Sequence, residues 1–238
     1  MSDSTPAPSL HAFLATLQEQ LKDLAERRGI NIKTHEGIGY AFSLWTADLL
    51  MRGDASLQAD LDDVANRGAG DLGCDVVLID DAGRNLIVVQ TKFQGLGRKP
   101  HTLEEDGLIA LSRRHDDLLS HEFLDQGNEH AKDLLGGYSE LAREGYRVRF
   151  YFVTTGKATE RHQLIIREQN ERYDKANASV TVELIDRGAL RELYTTTSSL
   201  ERSIPDSIEI DLPSGQWFIK DGKNPCLIAV VKGNEIRN

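Results

Sequence analysis

Apolar residues recur at helical spacing near the start of the chain. The first stripe predicts a helix with Ser9 as its N-cap and Gly29 just past its end, and it consists of Leu10, Phe13, Leu14, Leu17, Leu21 and Leu24. A second stripe predicts a helix from near Thr34 to about Met51, and it consists of Ile38, Phe42, Trp45 and Leu49. Glu36 falls in the first turn of this second helix.

Two strand-like runs follow a segment punctuated by glycine. Residues 57–66 are expected to form a short acidic helix or loop, and glycines stand at positions 68, 70 and 73. The runs cover residues 74–80 and 85–93, and the four residues between them are typical of a hairpin loop. Residues 86–89 are apolar on both faces, so the second strand is expected in the interior of a sheet.

The rest of the chain alternates between helix and strand patterns. Thr102 to Glu105 reads as a capping box that begins a helix over 103–120, and a second helix is expected over 129–144. A strand over 147–154, a helix over 159–175, a strand over 179–185 and a short helix from Asp186 to about Tyr194 follow. This order predicts an α/β fold in which a mixed central sheet is flanked by helices.

The length favours one large domain with an appendage. At about 150 residues per domain, the 238 residues correspond to roughly 1.6 domains. We expect a disordered tail over 1–9, a main domain over 10–195, and a linker with a short β-rich extension over 196–238. The extension is interpreted as an appendage or as the start of a further domain.

Charge and targeting signals limit the function classes. The chain has 28 basic and 38 acidic residues and a formal net charge of −10, which argues against a protein that coats nucleic acid by charge alone. No apolar run approaches the roughly 20 residues that span a bilayer, and no signal peptide is recognisable, so no membrane association is expected. With only two cysteines, far apart, a cytoplasmic location is expected.

Polar side chains cluster at the open end of the predicted hairpin. If Asp80 and Asn85 flank the loop, paired residue numbers sum to 165, and Asp75 lies across from Gln90. Because strand side chains alternate, Lys92 is expected on the same face as Gln90. The sequence therefore predicts that an acid, an amide oxygen and an amine converge at one point.

These groups suit metal-dependent phosphodiester hydrolysis. The Asp75 carboxylate, the Gln90 amide oxygen and the Thr91 main-chain carbonyl can each offer an oxygen to Mg²⁺, and Mn²⁺ is expected to substitute. Lys92 can orient or deprotonate the attacking water, or stabilise the phosphate. Because Gln90 is neutral, a further acid is expected to join as metal ligand; Glu36 is the first candidate, with a catalytic role, and Asp71 is the alternative.

The same residues resemble a known family. Asp75 followed by Gln90-Thr91-Lys92 resembles the D…(E/Q)xK signature of the PD-(D/E)XK nuclease superfamily, in the Gln variant of Mrr-type restriction endonucleases. More narrowly, residues 70–75 with residues 89–93 resemble the N-terminal nuclease-like part of abortive-infection phage-resistance (AIPR) proteins. The resemblance covers residues 34–155, with sharp motifs only in 70–93. The sequence departs from the family at Leu72, where a glycine is common.

The resemblance implies a restriction-endonuclease-like domain with a Mg²⁺-dependent endonuclease activity in prokaryotic anti-phage defence. Its carried-over catalytic positions are Asp75, Gln90 and Lys92. DNA is the expected substrate, and a homodimer is expected because nuclease cores that cut both strands often pair. A basic stretch beside the hairpin supplies candidate contacts to nucleic acid at Arg84, Arg98 and Lys99.

Two other functions remain open at this point. The same fold can serve as a catalytically inactive nucleic-acid-binding or regulatory module, whose acidic surface binds a partner. It can also be a protein-interaction domain with no nucleic-acid role. For the hairpin cluster itself, the simplest alternative is an ordinary polar cluster at the end of a β-hairpin.

Overall fold

The structure, a computed structural model, describes residues 9–54, 56–57, 59–97, 101–203, 209–210, 217–220, 226–229 and 236–237. The chain divides into two compact units, residues 1–197 and 198–238. Its helices are α1 (Leu10–Arg28), α2 (His35–Gly53), α3 (Leu61–Val64), α4 (Glu105–Ser112), α5 (Arg114–Leu118), α6 (His121–Leu124), α7 (Glu129–Leu135), α8 (Tyr138–Arg143), α9 (Glu160–Lys175) and α10 (Arg187–Ser203). The strands of the first unit are β1 (Val76–Asp80), β2 (Asn85–Lys92), β3 (Arg147–Thr154) and β4 (Val180–Ile185).

The four strands form one mixed sheet in the order β1-β2-β3-β4. β1 and β2 are antiparallel, whereas β2 pairs with β3, and β3 with β4, in parallel. β2 lies in the interior of the sheet, as its run of apolar residues predicts, and Leu86 to Val89 are all buried. The predicted α/β architecture, a mixed sheet flanked by helices, is confirmed.

Each face of the sheet buries a separate apolar core. On one face, α1 and α2 pack against strand residues that include Val76, Leu78, Ile87 and Val89. On the other face, helices α4 to α9 pack against strand residues that include Val77, Leu86, Val88 and Phe150. Successive residues of β2 alternate between these two cores, as the period of two in a strand requires.

The first two helices begin and end where their sequences indicate. The Ser9 hydroxyl accepts a hydrogen bond from the Ala12 N–H (3.2 Å) at the start of α1, and Gly29 follows its end with a left-handed φ of 64°. At the start of α2, the Thr34 hydroxyl accepts a hydrogen bond from the Gly37 N–H (3.0 Å). This cap fixes the first turn of α2, which carries Glu36.

Several predicted helix boundaries are wrong. Thr102 forms an isolated β-bridge with Lys157 instead of an N-cap, and the predicted helix over 103–120 is two helices, α4 and α5, separated at Arg113. The helix predicted over 129–144 is divided into α7 and α8 at Gly136 and Gly137, since glycine has a low helix propensity. The helix predicted from Asp186, α10, runs to Ser203 rather than ending near Tyr194.

Within its described residues, the second unit contains four short strands. They are β5 (Glu209–Ile210), β6 (Trp217–Lys220), β7 (Cys226–Ala229) and β8 (Ile236–Arg237). β5 pairs with β8, and β6 pairs with β7, both in antiparallel fashion. Of the tail predicted over 1–9, all but Ser9 lies outside the described residues.

The close approach of Gly37 to the loop before α2 gives a stability prediction. A Cβ at position 37 would lie 2.0 Å from the Asn31 carbonyl oxygen, whereas one at Gly39 would meet nothing within 4 Å. Gly37→Ala is therefore expected to destabilise the protein by about 1–3 kcal/mol through overpacking. Gly39→Ala, in the same helix, is expected to stabilise it by about 0.5–1 kcal/mol. Urea unfolding of both variants measures the difference, and equal effects would contradict the close approach.

Candidate functional site

A β-bulge interrupts the hairpin at Asp75. The predicted register holds from Val76 to Asp80, which pair with Val89 to Asn85. The Asp75 N–H, however, donates to the carbonyl oxygen of Val89 (2.8 Å), the residue whose Cα partner is Val76. Two residues of the first strand therefore oppose one residue of the second, and such bulges reverse the facing of side chains beyond them.

The bulge places Asp75 on a different face from the one that alternation predicts. Cys74 lies in the core beneath α4 to α9, and Val76 in the core beneath α1 and α2, although alternation would place both on one face. The Asp75 carboxylate accepts hydrogen bonds from the Thr91 N–H (2.6 Å) and the Thr91 hydroxyl (3.1 Å). The expectation that Asp75 shares a face with Gln90 is therefore wrong, because one extra residue in the strand redirects the carboxylate toward α2.

Three acidic residues, Glu36, Asp71 and Asp75, line a cleft beside α2. This acidic cleft has a volume of about 350 Å³, and its lining includes Glu36, Tyr40, Ser43, Arg67, Asp71, Asp75 and Thr91. The structure thus brings together four of the predicted site residues: Glu36, Asp71, Asp75 and Thr91. Glu36 is exposed at the rim, and Asp75 is half-buried.

Hydrogen bonds fix the orientation of the Asp75 carboxylate. Its partner Thr91 also contacts the Ser43 hydroxyl of α2 (2.8 Å between the two oxygens), so helix and strand are tied together at this point. Thr91 is therefore a donor to Asp75 through both its N–H and its hydroxyl. A carboxylate held in this way is oriented before any ligand binds, at low entropic cost.

Asp71 reaches the cleft from a tight turn. Its carboxylate accepts a hydrogen bond from the Gly73 N–H (2.8 Å), and the turn contains three residues with left-handed φ: Gly70 (86°), Leu72 (57°) and Gly73 (65°). Leu72, the departure from the family pattern, therefore adopts a conformation that favours glycine. Such strain is retained where surrounding contacts dictate the backbone path.

The electrostatic setting of Asp75 is unusual for an acid. Burial, together with the smaller effect of the neighbouring Asp71 carboxylate, raises the pKa of the Asp75 carboxyl group to about 7, although the hydrogen bond from the Thr91 N–H acts in the opposite direction. Burial likewise raises the pKa of the adjacent Cys74 thiol to about 12, so this cysteine is protonated at neutral pH. Cys74 is therefore no candidate nucleophile.

Gln90 and Lys92 lie outside the acidic cleft. Gln90 approaches Gly73 and Arg114 on the opposite face of the sheet: a Cβ on Gly73 would lie 3.3 Å from the Gln90 Nε2 and 3.1 Å from an Arg114 guanidinium nitrogen. Lys92 lines a neighbouring cleft of about 560 Å³, together with His35, His101 and Glu104. His35 lines both clefts, so the two lie side by side at the start of α2.

The predicted basic contacts are only partly described. Arg84 lies at the tip of the hairpin, where its guanidinium donates to the Glu144 carbonyl oxygen and stacks 5.4 Å from the Tyr146 ring centroid. The eight residues of β2 separate this tip from Lys92 by about 25 Å. Arg84 therefore lies away from the acidic cleft, and its contact with nucleic acid stays a prediction. Arg98 and Lys99 lie outside the described residues.

The donor set can be compared with what a divalent cation requires. Within the described part of the chain, no group of three or more His, Cys, Asp and Glu side chains is arranged to hold a metal ion. Mg²⁺, however, is usually held by one or two carboxylates together with water and substrate phosphates. Asp71 and Asp75 fit that requirement, with Glu36 at the rim, whereas the Gln90 amide does not join them.

Tyr40, Ser43 and Arg67 line the cleft although they belong to none of the motifs recognised in the sequence. Tyr40 and Ser43 stand four and seven residues after Glu36 in α2, a spacing that places all three on one side of a helix. Phe42 and Trp45 of the same helix are buried in the core, whereas Tyr40 is only half-buried. Arg67 precedes the glycine-containing turn and carries no motif of its own.

Comparisons with known proteins add no relative. No protein-family model, no curated protein and no solved structure matches the chain. In the described residues, no helix has the length and apolar character needed to cross a membrane.

The raised pKa of Asp75 gives a pH-dependent prediction. Because the folded-state pKa is above the unfolded value, folding favours the protonated group, and its contribution to stability is lost as the pH rises from about 4 through 7. Asp75→Asn keeps an oxygen acceptor for Thr91 without the charge. We expect it to raise Tm by a few degrees at about pH 8 and to have little effect near pH 4.

Asp80 provides a control of opposite sign. Its carboxylate accepts hydrogen bonds from the Gly83 N–H (2.8 Å) and the Asn85 amide (2.8 Å), and these bonds lower its pKa. Its contribution to stability is therefore present at neutral pH and is lost in acid. Asp80→Asn should lower Tm at about pH 8, so a shift of both variants in the same direction at that pH would contradict these assignments.

Proposed function

We propose that this protein is a divalent-metal-dependent phosphodiesterase that cleaves nucleic acid, with DNA as the first substrate to test. One observation carries the proposal: the Asp71 and Asp75 side chains line the same open cleft, and Asp75 is oriented there by Thr91. Two acids in an accessible cleft are a common way to hold Mg²⁺ beside a substrate phosphate. Mn²⁺ is proposed to substitute for Mg²⁺.

The metal ligands in this proposal are Asp71 and Asp75, and water and substrate oxygens complete the set. When bound, the cation supplies a more acidic water and neutralises charge that develops on the phosphate. Glu36 at the rim is exposed and can accept a proton from a water molecule. Thr91 and Ser43 hold Asp75 in place during the reaction.

The family assignment remains part of this proposal. The order of α2, hairpin, helices and parallel strand agrees with the restriction-endonuclease-like architecture that the resemblance implies. We include in the proposal a role in prokaryotic anti-phage defence, a cytoplasmic location and action as a homodimer. Lys92, which lies in the neighbouring cleft, is proposed to contact the substrate on that side rather than to meet Asp75.

A second function is favoured by a specific observation. Gln90 and Lys92, two of the three carried-over catalytic positions, do not line the acidic cleft. A chain that has kept the fold without the complete catalytic set would act as an inactive nucleic-acid-binding or regulatory module. This function predicts binding of nucleic acid that no divalent metal converts into cleavage.

Cleavage of plasmid, linear DNA and RNA separates the two functions. With Mg²⁺ or Mn²⁺, we expect cleavage by the wild-type protein and a loss of at least about 100-fold in Asp75→Asn, which removes a charged ligand. Asp174→Asn, the same change at an exposed position of α9, should cleave as the wild type does. Lys92→Ala should also reduce cleavage strongly without altering Mn²⁺ binding.

The outcomes are distinct. Equal cleavage by Asp75→Asn and the wild type would remove Asp75 from the reaction and overturn the proposed site. Binding of DNA without cleavage in any divalent metal would support the inactive module instead. Retention of full cleavage by Lys92→Ala would show that the neighbouring cleft takes no part.

A further inference from the structure

Arg67 enters the acidic cleft from a tightly held backbone. The N–H of the preceding residue, Asn66, donates to the Asp75 carbonyl oxygen (2.8 Å), and the Asn66 side-chain oxygen accepts from the Arg67 N–H (2.9 Å). On the other side, the Asn128 amide donates to the Arg67 carbonyl oxygen (3.3 Å). Asn66 is itself buried. The position of Arg67 is therefore fixed relative to the strand that carries Asp75.

The Arg67 side chain is held by an aromatic ring rather than by an acid. Its guanidinium carbon lies 5.2 Å from the centroid of the Tyr40 ring, within the range of a cation–π contact. Among the described residues, Arg67 forms no salt bridge, although Glu36, Asp71 and Asp75 line the same cleft. Arg67 is also exposed.

This arrangement leaves the N–H groups of Arg67 available. A ring that stacks on the guanidinium occupies one of its faces, whereas the five N–H donors lie in the guanidinium plane and point outward. A planar fork of donors matches the oxygens of a phosphate and binds them in a bidentate manner. The acidic cleft thus contains both halves of a phosphodiester site: acids for a cation and an arginine for the anion.

We propose that Arg67 binds the phosphate of the substrate strand, and that Tyr40 is a positioning residue that holds the guanidinium over the cleft. This inference rests on the proposed function, since it names the group that receives the phosphate at that site. It assigns phosphate recognition to a residue that precedes the glycine-containing turn. Arg67 lines the cleft of Asp75, whereas Lys92 lines the adjacent cleft.

The test measures DNA binding, metal binding and cleavage separately. A short fluorescein-labelled DNA duplex is titrated in Ca²⁺ and followed by anisotropy, Mn²⁺ binding is followed by electron paramagnetic resonance without DNA, and cleavage is measured in Mg²⁺. For Arg67→Ala, we expect DNA affinity to fall about 10- to 100-fold, the range of a charge-assisted hydrogen bond. Mn²⁺ affinity should stay within about twofold, because no ligand changes.

Further variants separate phosphate recognition from folding. Arg67→Lys keeps the charge without the planar fork and should recover only part of the affinity. Tyr40→Phe keeps the ring and should bind more DNA than Tyr40→Leu. Arg143→Ala, an exposed arginine of α8, is the matched control and should bind and cleave as the wild type does. Thermal melting of each variant shows that the loss does not arise from unfolding.

The results distinguish this inference from the proposed function. If the wild type cleaves DNA and Arg67→Ala binds and cleaves equally well, the inference is wrong and the proposed function stands. If no metal supports cleavage but Arg67→Ala loses DNA binding while Arg143→Ala does not, the inference holds and the proposed reaction is wrong. Loss of Mn²⁺ binding in Arg67→Ala would make Arg67 a structural part of the cation site and would also overturn the inference. Failure of the wild type to bind DNA or RNA would overturn both.

Discussion

The hydrogen bond from the Thr91 N–H to the Asp75 carboxylate is the contact on which the candidate site depends. It joins the two strands of the hairpin at the point where the bulge would otherwise leave a main-chain donor without a strand partner. The same carboxylate receives the Thr91 hydroxyl, which also reaches Ser43 of α2. The Asp75 carboxylate is thus a structural contact of the cleft as well as one of its acidic groups.

This dual use explains the electrostatic character of the cleft. A side chain that only completed a turn would lie near solvent, where water stabilises its charge. Asp75 instead lies where burial disfavours the charged form and where Asp71 adds a like charge. Functional sites often keep such unfavourable groupings, which lower the stability of the protein and provide affinity for a ligand of opposite charge.

Much of the fold follows directly from the sequence, whereas the site follows only in part. The spacing of apolar residues and the N-cap residues correctly predict α1 and α2. The four-residue loop over 81–84 correctly predicts the pairing of the two hairpin strands as far as Val76. The alternation of strand side chains predicts the wrong face for Asp75, because a bulge depends on the local hydrogen-bond pattern and is not visible as a period in the sequence. The prediction that Thr102 is an N-cap is wrong for a similar reason. Thr102 forms a β-bridge with Lys157, and a contact between residues so far apart in the chain cannot be predicted from the local sequence. Arg67 and Tyr40 could be related only after α2 and the glycine-containing turn had been placed in space.

The residues that line the acidic cleft all come from one stretch of the chain, between His35 and Thr91. The later half of the first unit supplies the parallel strands β3 and β4 and the helices that pack on them. Its Asn128 side chain holds the loop that carries Arg67 by donating hydrogen bonds to the carbonyl oxygens of Arg67 and Ala69. Substitutions in that later half can therefore leave the residues of the cleft unchanged, provided that Asn128 and the packing against Val77, Leu86 and Val88 are retained. Over evolutionary time, selection for the chemistry of the cleft acts directly on the first half of the domain, and on the second half only through this shared packing.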